Sequence, residues 1–165
     1  MSQGSKDTGS ESGDSNDAPA DRLKRSLPAA PVAKLVGFEI TSGGDGRAVM
    51  TMQTGPQHAN PMGTLHGGIL CDIGDAAMGY AFASTLAEGE AFTTIDLRIN
   101  FLRPVWNARL KAEAHVVHRG RTVGYVECDV TDERQRVVAK LSSTCMVLRN
   151  EMAAGRKLRS EGTGG

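Results

Sequence analysis

The sequence predicts an α+β fold, a curved antiparallel sheet wrapped around one long central helix. Three observations predict it. Residues 67–87 place Ile69, Ile73, Ala76, Tyr80 and Ala83 at helical spacing. The same stretch is crowded with Gly74, Ala76, Ala77, Gly79, Ala81 and Ala83. Glycine costs roughly 1 kcal/mol relative to alanine inside a helix, so close approach of a surrounding backbone best explains such a helix. Four strand-like segments then follow it.

The elements read in order as follows. Residues 31–36 suit a short helix. Residues 37–41 and 47–53 read as strands around the turn Ser42-Gly43-Gly44-Asp45-Gly46. A polar loop over 54–65 leads into the long helix. Strands are expected at about 92–103, 108–119, 122–132 and 136–149. Gly120 marks one tight turn and Asp132-Glu133-Arg134-Gln135 another, so the last three strands should form a meander. Residues 1–26 are rich in Ser, Gly and Asp and hold no aromatic residue. They cannot bury enough apolar surface to offset chain entropy, and a disordered tail is expected. Residues 150–165 read as a flexible tail, which leaves 28–149 as the folded unit.

Formal net charge is +0, so nothing global points to nucleic acid. The charge is uneven, however. Residues 34–100 carry 3 Lys/Arg and 7 Asp/Glu, whereas 101–150 carry 9 and 5. A locally basic C-terminal half suits a phosphorylated ligand or a solvated sheet face. Cys71, Cys128 and Cys145 are odd in number and unpatterned, which points to a reducing cytoplasm. Residues 1–26 hold no apolar core of a secretory signal. No apolar run is long enough to span a membrane, so no membrane partner is expected.

The chemistry concentrates where the polar loop meets the long helix, in His58-Ala59-Asn60-Pro61-Met62-Gly63-Thr64-Leu65-His66-Gly67-Gly68. Gly67 and Gly68 open the helix, where unpaired N–H groups and the positive dipole end face outward. Glycine removes the side chain that would block a ligand there. Such an N–H can stabilise an oxyanion, or the glycines can simply make a tight helix entry. Asp75 is a carboxylate amid small apolar residues, where an unpaired buried charge is costly. It is either paired structurally or serves as a general base or nucleophile. Asp72 lies one turn earlier and is the rival.

These residues, with Thr94-Ile95-Asp96-Leu97 and Asn100-Phe101-Leu102-Arg103-Pro104, resemble the hotdog-fold acyl-CoA thioesterases of the phenylacetate-degradation type. The match is an N-x-x-G-x-x-H-G-G segment with an acid nine residues after the His, and the likeness covers nearly all of 34–149. It implies an acyl-CoA substrate, no cofactor, Gly67 as oxyanion donor and Asp75 as the acid, favoured here as a general base activating water. It implies that Asn60 and His66 organise the site, and that Thr94 helps position water or substrate. It places the Arg119-Gly120-Arg121 turn near the CoA exit. Arg119, Arg121 and Arg103 are thus candidates for CoA phosphates, since arginine suits bidentate phosphate contacts. Gly68 is a further substrate-binding candidate. The acyl group itself, aryl or medium-chain, is not readable, and Tyr80, Phe82 and Ile69 either line its pocket or belong to the core.

Spacing adds an expectation about assembly. Gly67 and Asp75 are eight residues apart, about 12 Å along one helix. One carbonyl carbon cannot easily meet both within a single chain, whereas two antiparallel copies of the helix would pair Gly67 of one with Asp75 of the other. The resembling family builds its sites at such a dimer interface, so a homodimer or homotetramer is expected. The strand at 92–103 is the expected seam.

Other classes fit less well. His58 and His66 lack a third ligand at metal spacing and there is no HExxH, so no metal is expected. No GxSxG elbow is present, and an isolated Cys71 is by default inert. A hotdog acyl-thioester hydratase or dehydratase would use a different acid and His placement. A non-catalytic acyl-CoA binding domain remains an alternative, because fold alone does not imply activity.

Overall fold

The computed structural model describes residues 30–155. The tail expected over 1–26, and the part of 150–165 beyond residue 155, lie outside the described residues. Helix α1 (Pro31–Val36) begins on a proline, whose missing N–H would have no partner in a first turn. Gly37 ends it at φ +90°, a left-handed cap whose N–H donates to Ala33 O at 2.8 Å.

Strands β1 (Phe38–Gly44) and β2 (Arg47–Gln53) form a hairpin. The first strand is longer than the sequence suggests and the turn tighter. Gly43 and Gly44 pair with Ala48 and Arg47, so only Asp45 and Gly46 turn. Both have positive φ, +50° and +75°, as a two-residue turn matched to strand twist requires.

After a 3-10 turn at Pro56–His58, helix α2 (Gly67–Ala83) begins. It stops short of the expected residue 87. Ser84 Oγ donates to Ala81 O at 2.8 Å and Thr85 Oγ1 to Phe82 O at 2.7 Å, so side chains compete for the last carbonyls. Ser84 Oγ also accepts from Gly46 N at 2.9 Å, which ties the helix end to the hairpin turn.

Strands β3 (Ala91–Phe101), β4 (Arg109–Arg119), β5 (Val123–Thr131) and β6 (Val137–Leu148) follow, close to their expected spans. β3 ends early because Leu102 N and Arg103 N both turn to Val138 O, and Pro104 has no N–H to continue a ladder. The six strands order as β1-β2-β4-β5-β6-β3, all antiparallel. β4, β5 and β6 form the expected meander, while β3 crosses to the far edge beside β6. This is the hotdog arrangement, with α2 lying mainly across β2, β4 and β5.

The core obeys the two periodicities. Met50 and Met52, Leu110 and Ala112, Val126 and Val130, and Leu141 and Cys145 face inward from alternate strand positions. They meet Leu70, Ile73, Gly74, Ala77, Met78, Ala81 and Phe82 of α2. The buried stripe is therefore rotated from the one the sequence suggests: only Ile73 is shared, and Ile69, Ala76, Tyr80 and Ala83 are half-buried. A helix this apolar all round carries little directional signal. Close approach is real but is made by side chains. A Cβ on Gly74 would sit 2.4 Å from Leu141 Cδ2. The reciprocal glycine is in the sheet, where a Cβ on Gly124 would sit 2.2 Å from Phe82 Cε2. Among the described residues no helix is long and apolar enough to cross a membrane.

Candidate active site

The loop before α2 is braced at several points. His58 is buried, its Nδ1 accepting from Gly55 N at 3.0 Å and its Nε2 lying 3.0 Å from Val36 O. The neutral tautomer with the proton on Nε2 satisfies both contacts. His66 N donates to His58 O at 2.9 Å, and Leu65 N to Val105 O at 2.7 Å. Asn60 closes the loop on itself. Its Oδ1 accepts from Met62 N at 2.9 Å and Thr64 N at 3.2 Å, and its Nδ2 donates to Thr64 Oγ1 at 2.8 Å. The amide thus organises the loop.

His66 is the N-cap of α2, with its Nδ1 accepting from Gly68 N at 2.9 Å. A Cβ on Gly68 would lie 2.9 Å from that nitrogen, so glycine there permits the cap. Gly67 is the first helical residue, and its N–H has no acceptor within the helix. The space beside its Cα is not open. A Cβ would sit 2.8 Å from Phe101 Cζ, so the half-exposed Phe101 ring at the end of β3 covers the helix entry. A side chain at 67 would have to displace the ring tip of Phe101.

Asp75 lies two turns along α2, with Asp72 one turn before it, and both are exposed in the isolated chain. That differs from the buried setting expected, because the sheet covers only one side of α2. The surrounding protein nevertheless raises the Asp75 pKa, first by desolvation and then by the Asp72 charge. Cys71 is pushed up by burial and by both aspartates, which keeps its thiol protonated and unreactive. Thr94 is paired with Cys145 across the β3–β6 ladder, and the Cys145 Sγ lies 3.8 Å from Ser143 Oγ. Burial raises the Cys145 pKa, and the Asp75 charge adds to the effect. The Asp75 charge thus reaches Cys145, which is paired with Thr94, whereas Gly67 lies at the N-terminal end of the helix, eight residues before Asp75.

The arginines divide. Arg119 commits its guanidinium within the chain, to Glu90 Oε2 at 2.8 Å, to Thr85 Oγ1 at 3.3 Å, to Gly120 O, and over the Phe82 ring at 5.3 Å. Glu90 also binds Arg149, a double pairing that no sequence signal announces because the three residues are far apart in the chain. Arg103 Nη1 donates to Val137 O. Arg121 is exposed at the β4–β5 turn. Phe82 is core, edge-on to Phe92 at 5.4 Å, while Tyr80 lines a cavity and Ile69 packs against the core. Among the described residues no group of three or more His, Cys, Asp or Glu is placed to hold a metal ion.

The family model described as the thioesterase superfamily matches residues 62–139. The chain is 35% identical over 108 residues to acyl-coenzyme A thioesterase PaaI of Escherichia coli, covering 65% of this chain and 75% of that protein. Its fold is similar to the solved structure of conserved protein PA5202 from Pseudomonas aeruginosa, at a TM-score of 0.70 and 30% identity, over 79% of this chain and all (100%) of that one. The E. coli PaaI protein, from the phenylacetic acid degradation operon, is similar at a TM-score of 0.67 and 32% identity, over 72% and 85%.

Proposed function

This chain belongs to the thioesterase superfamily, and we propose that it is a cytoplasmic acyl-CoA thioesterase whose domain spans 28–149. It hydrolyses an aryl- or medium-chain acyl-CoA to the free acid and CoA. The observation that carries the reading is helix α2 itself, which has an unpaired N–H end at Gly67 and a carboxylate of raised pKa at Asp75.

The thioester carbonyl oxygen sits at the Gly67 N–H. Asp75 takes a proton from water as the water oxygen bonds to the carbonyl carbon. The N–H stabilises the oxyanion that results. The C–S bond then breaks, the carboxylic acid forms, and the CoA thiolate takes the proton held by Asp75, which returns to carboxylate. A raised pKa makes Asp75 a stronger base. His66 and Asn60 hold the loop that presents Gly67 and Gly68, and Thr94 orients the water. Arg121 is the leading contact for CoA phosphate. Arg103 and Arg119 support it by field and by fixing the turn.

The site is shared between subunits. About 12 Å of helix separates Gly67 from Asp75, and the exposed face of α2 suits a second, antiparallel copy. β3 is an edge strand with Ile95 and Phe101 more than half exposed (55% and 56%), which supports it as the seam of a homodimer or of a dimer within a tetramer.

The test is CoA release from a panel of aryl- and medium-chain acyl-CoAs by wild type and Asp75→Asn. Wild type turns over and the variant loses at least about a hundredfold in kcat. Absence of turnover in both proteins overturns the enzyme reading. Equal turnover overturns the role of Asp75.

A further inference from the structure

Glu90, at the end of the loop between α2 and β3, has a carboxylate only 13% exposed. Its Oε2 accepts from Ala87 N at 3.1 Å and from Arg119 Nη2 at 2.8 Å. Its Oε1 accepts from Arg149 Nη2. A carboxylate drawn out of water needs such partners to stay charged. The Ala87 N–H, and then Arg149 and Arg119, hold it below the usual glutamate range against the opposing effect of desolvation. Three chain segments thus meet on one side chain: the α2–β3 loop, the end of β4 and the residue after β6.

Through Arg119 this clamp reaches the β4–β5 turn. Arg119 Nη1 donates to Gly120 O, the carbonyl of the peptide bond that leads into Arg121. Its Nε donates to Thr85 Oγ1 at 3.3 Å, and its guanidinium lies over the Phe82 ring at 5.3 Å. The other limb of the turn is tied to β6, because Val147 N donates to Thr122 O at 2.8 Å. Gly120 N donates to Val123 O at 2.9 Å and closes the turn. Both flanks of Arg121 are therefore fixed. Its own side chain is exposed and has no ion pair or hydrogen bond among the described residues.

A cation presented in this way is easier to engage than one on a loose turn, since the backbone is ordered before the ligand arrives. A guanidinium suits a phosphate, which takes two parallel N–H donors. Arg119 and Arg149 are not free to share that phosphate, because Glu90 already holds both.

Resting on the thioesterase reading and on Arg121 as its phosphate contact, we propose that Glu90 is a positioning residue. Through Arg119 and Arg149 it fixes the β4–β5 turn so that Arg121 meets a CoA phosphate. It thereby sets a preference for CoA thioesters over thioesters that lack the nucleotide.

Glu90→Gln keeps the shape and removes the charge. One acyl group is assayed on the full chain as its CoA thioester and as its N-acetylcysteamine thioester, which has no phosphate. For the CoA thioester kcat/KM is expected to fall about tenfold, the order of one charge-assisted hydrogen bond, and mostly through KM. The N-acetylcysteamine thioester is hydrolysed as by wild type. In an Arg121→Ala background Glu90→Gln has no further effect, since residues that act through one contact are not additive. Should Glu90→Gln fail to fold by circular dichroism, Glu90→Asp is expected to show the same pattern, because it keeps the charge but is one methylene too short to hold both guanidiniums. Unchanged use of the CoA thioester overturns the proposal, as do equal losses on both thioesters. So does a loss that persists in the Arg121→Ala background, or an Arg121→Ala variant with the wild-type KM. A gain in CoA affinity also overturns it, because Arg119 and Arg149 would then be phosphate ligands that Glu90 withholds. If wild type hydrolyses neither thioester, calorimetric titration with CoA and with pantetheine takes the place of the assay. A CoA affinity that falls with Glu90→Gln only when Arg121 is present then means that the enzyme reading fails and the role of Glu90 stands. Equal affinity of wild type for CoA and pantetheine overturns that role.

Discussion

At the scale of single residues, the proposed chemistry rests on one side chain, Asp75, and one backbone N–H, at Gly67, and each can be isolated. Asp75 has its pKa raised by desolvation and by Asp72. A general base must be ionised, so activity falls as pH drops through that raised pKa. The acid limb of kcat/KM is expected above the ordinary aspartate range, about 3.9. Asp72→Asn removes a like charge, lowers the Asp75 pKa and moves the limb to lower pH. A pH–rate profile checks it, and an unmoved limb refutes the coupling. At Gly67, packing and hydrogen bonding are entangled because the Phe101 ring occupies the Cβ position. A Phe101→Ala background separates them. There, Gly67→Ala keeps the N–H and should retain most of that background's kcat. Gly67→Pro fits the first helical position but has no N–H, and should lose about 10²–10³-fold, the usual worth of one oxyanion donor. Equal kcat in the two variants excludes the N–H from catalysis.

At the scale of elements, α2 and the sheet are matched by missing side chains. Gly74 makes room for Leu141, and Gly124 in β5 makes room for Phe82. Alanine is the better helix former by roughly 1 kcal/mol, so propensity alone would have Gly74→Ala stabilise. The contact at 2.4 Å, against a leucine only 4% exposed, argues the reverse. Gly74→Ala and Gly124→Ala are each expected to destabilise by about 1–3 kcal/mol through overpacking, read as a lowered urea midpoint at unchanged slope. A midpoint raised by Gly74→Ala would mean that Leu141 withdraws freely. The end of α2 shows the same local logic, since Ser84 and Thr85 take carbonyls that another turn would need.

At the scale of the whole molecule, the catalytic residues proposed here lie too far apart on one rigid helix to act within a chain. If each site joins Gly67 of one subunit to Asp75 of the other, two inactive proteins should complement. Asp75→Asn and Gly67→Pro, each with Phe101→Ala, are unfolded together and refolded in equal amounts. Half the dimers are mixed and each mixed dimer keeps one site unaltered at 67 and 75 of two, so activity of about a quarter of that of the Phe101→Ala parent is expected from the symmetry. No recovery, in a mixture shown to exchange subunits, would place both residues in one chain's site.

Local patterns sufficed for much of this protein. The order of elements, the meander and the glycine turn entering one long helix follow from turn residues, strand alternation and short connections, all of which act over a few neighbours. The spacing of Gly67 and Asp75 likewise requires only the rise of a helix. Other features depended on contacts between distant segments. The buried stripe of α2 is set by where Leu141 and Phe82 find space, because Asp72 and Asp75 are the only charges on the helix and orient it only coarsely. Phe101 over Gly67, Arg119 held by Glu90, and the cavity walled by Ala33, Ile40 and Met50 join residues whose separation in the chain leaves no local trace. The sequence by itself thus determined which groups are candidates for the chemistry and where they fall along the helix. Only the tertiary structure decided what surrounds them, since packing depends on shape summed over many chain-distant atoms and no short window of sequence contains it.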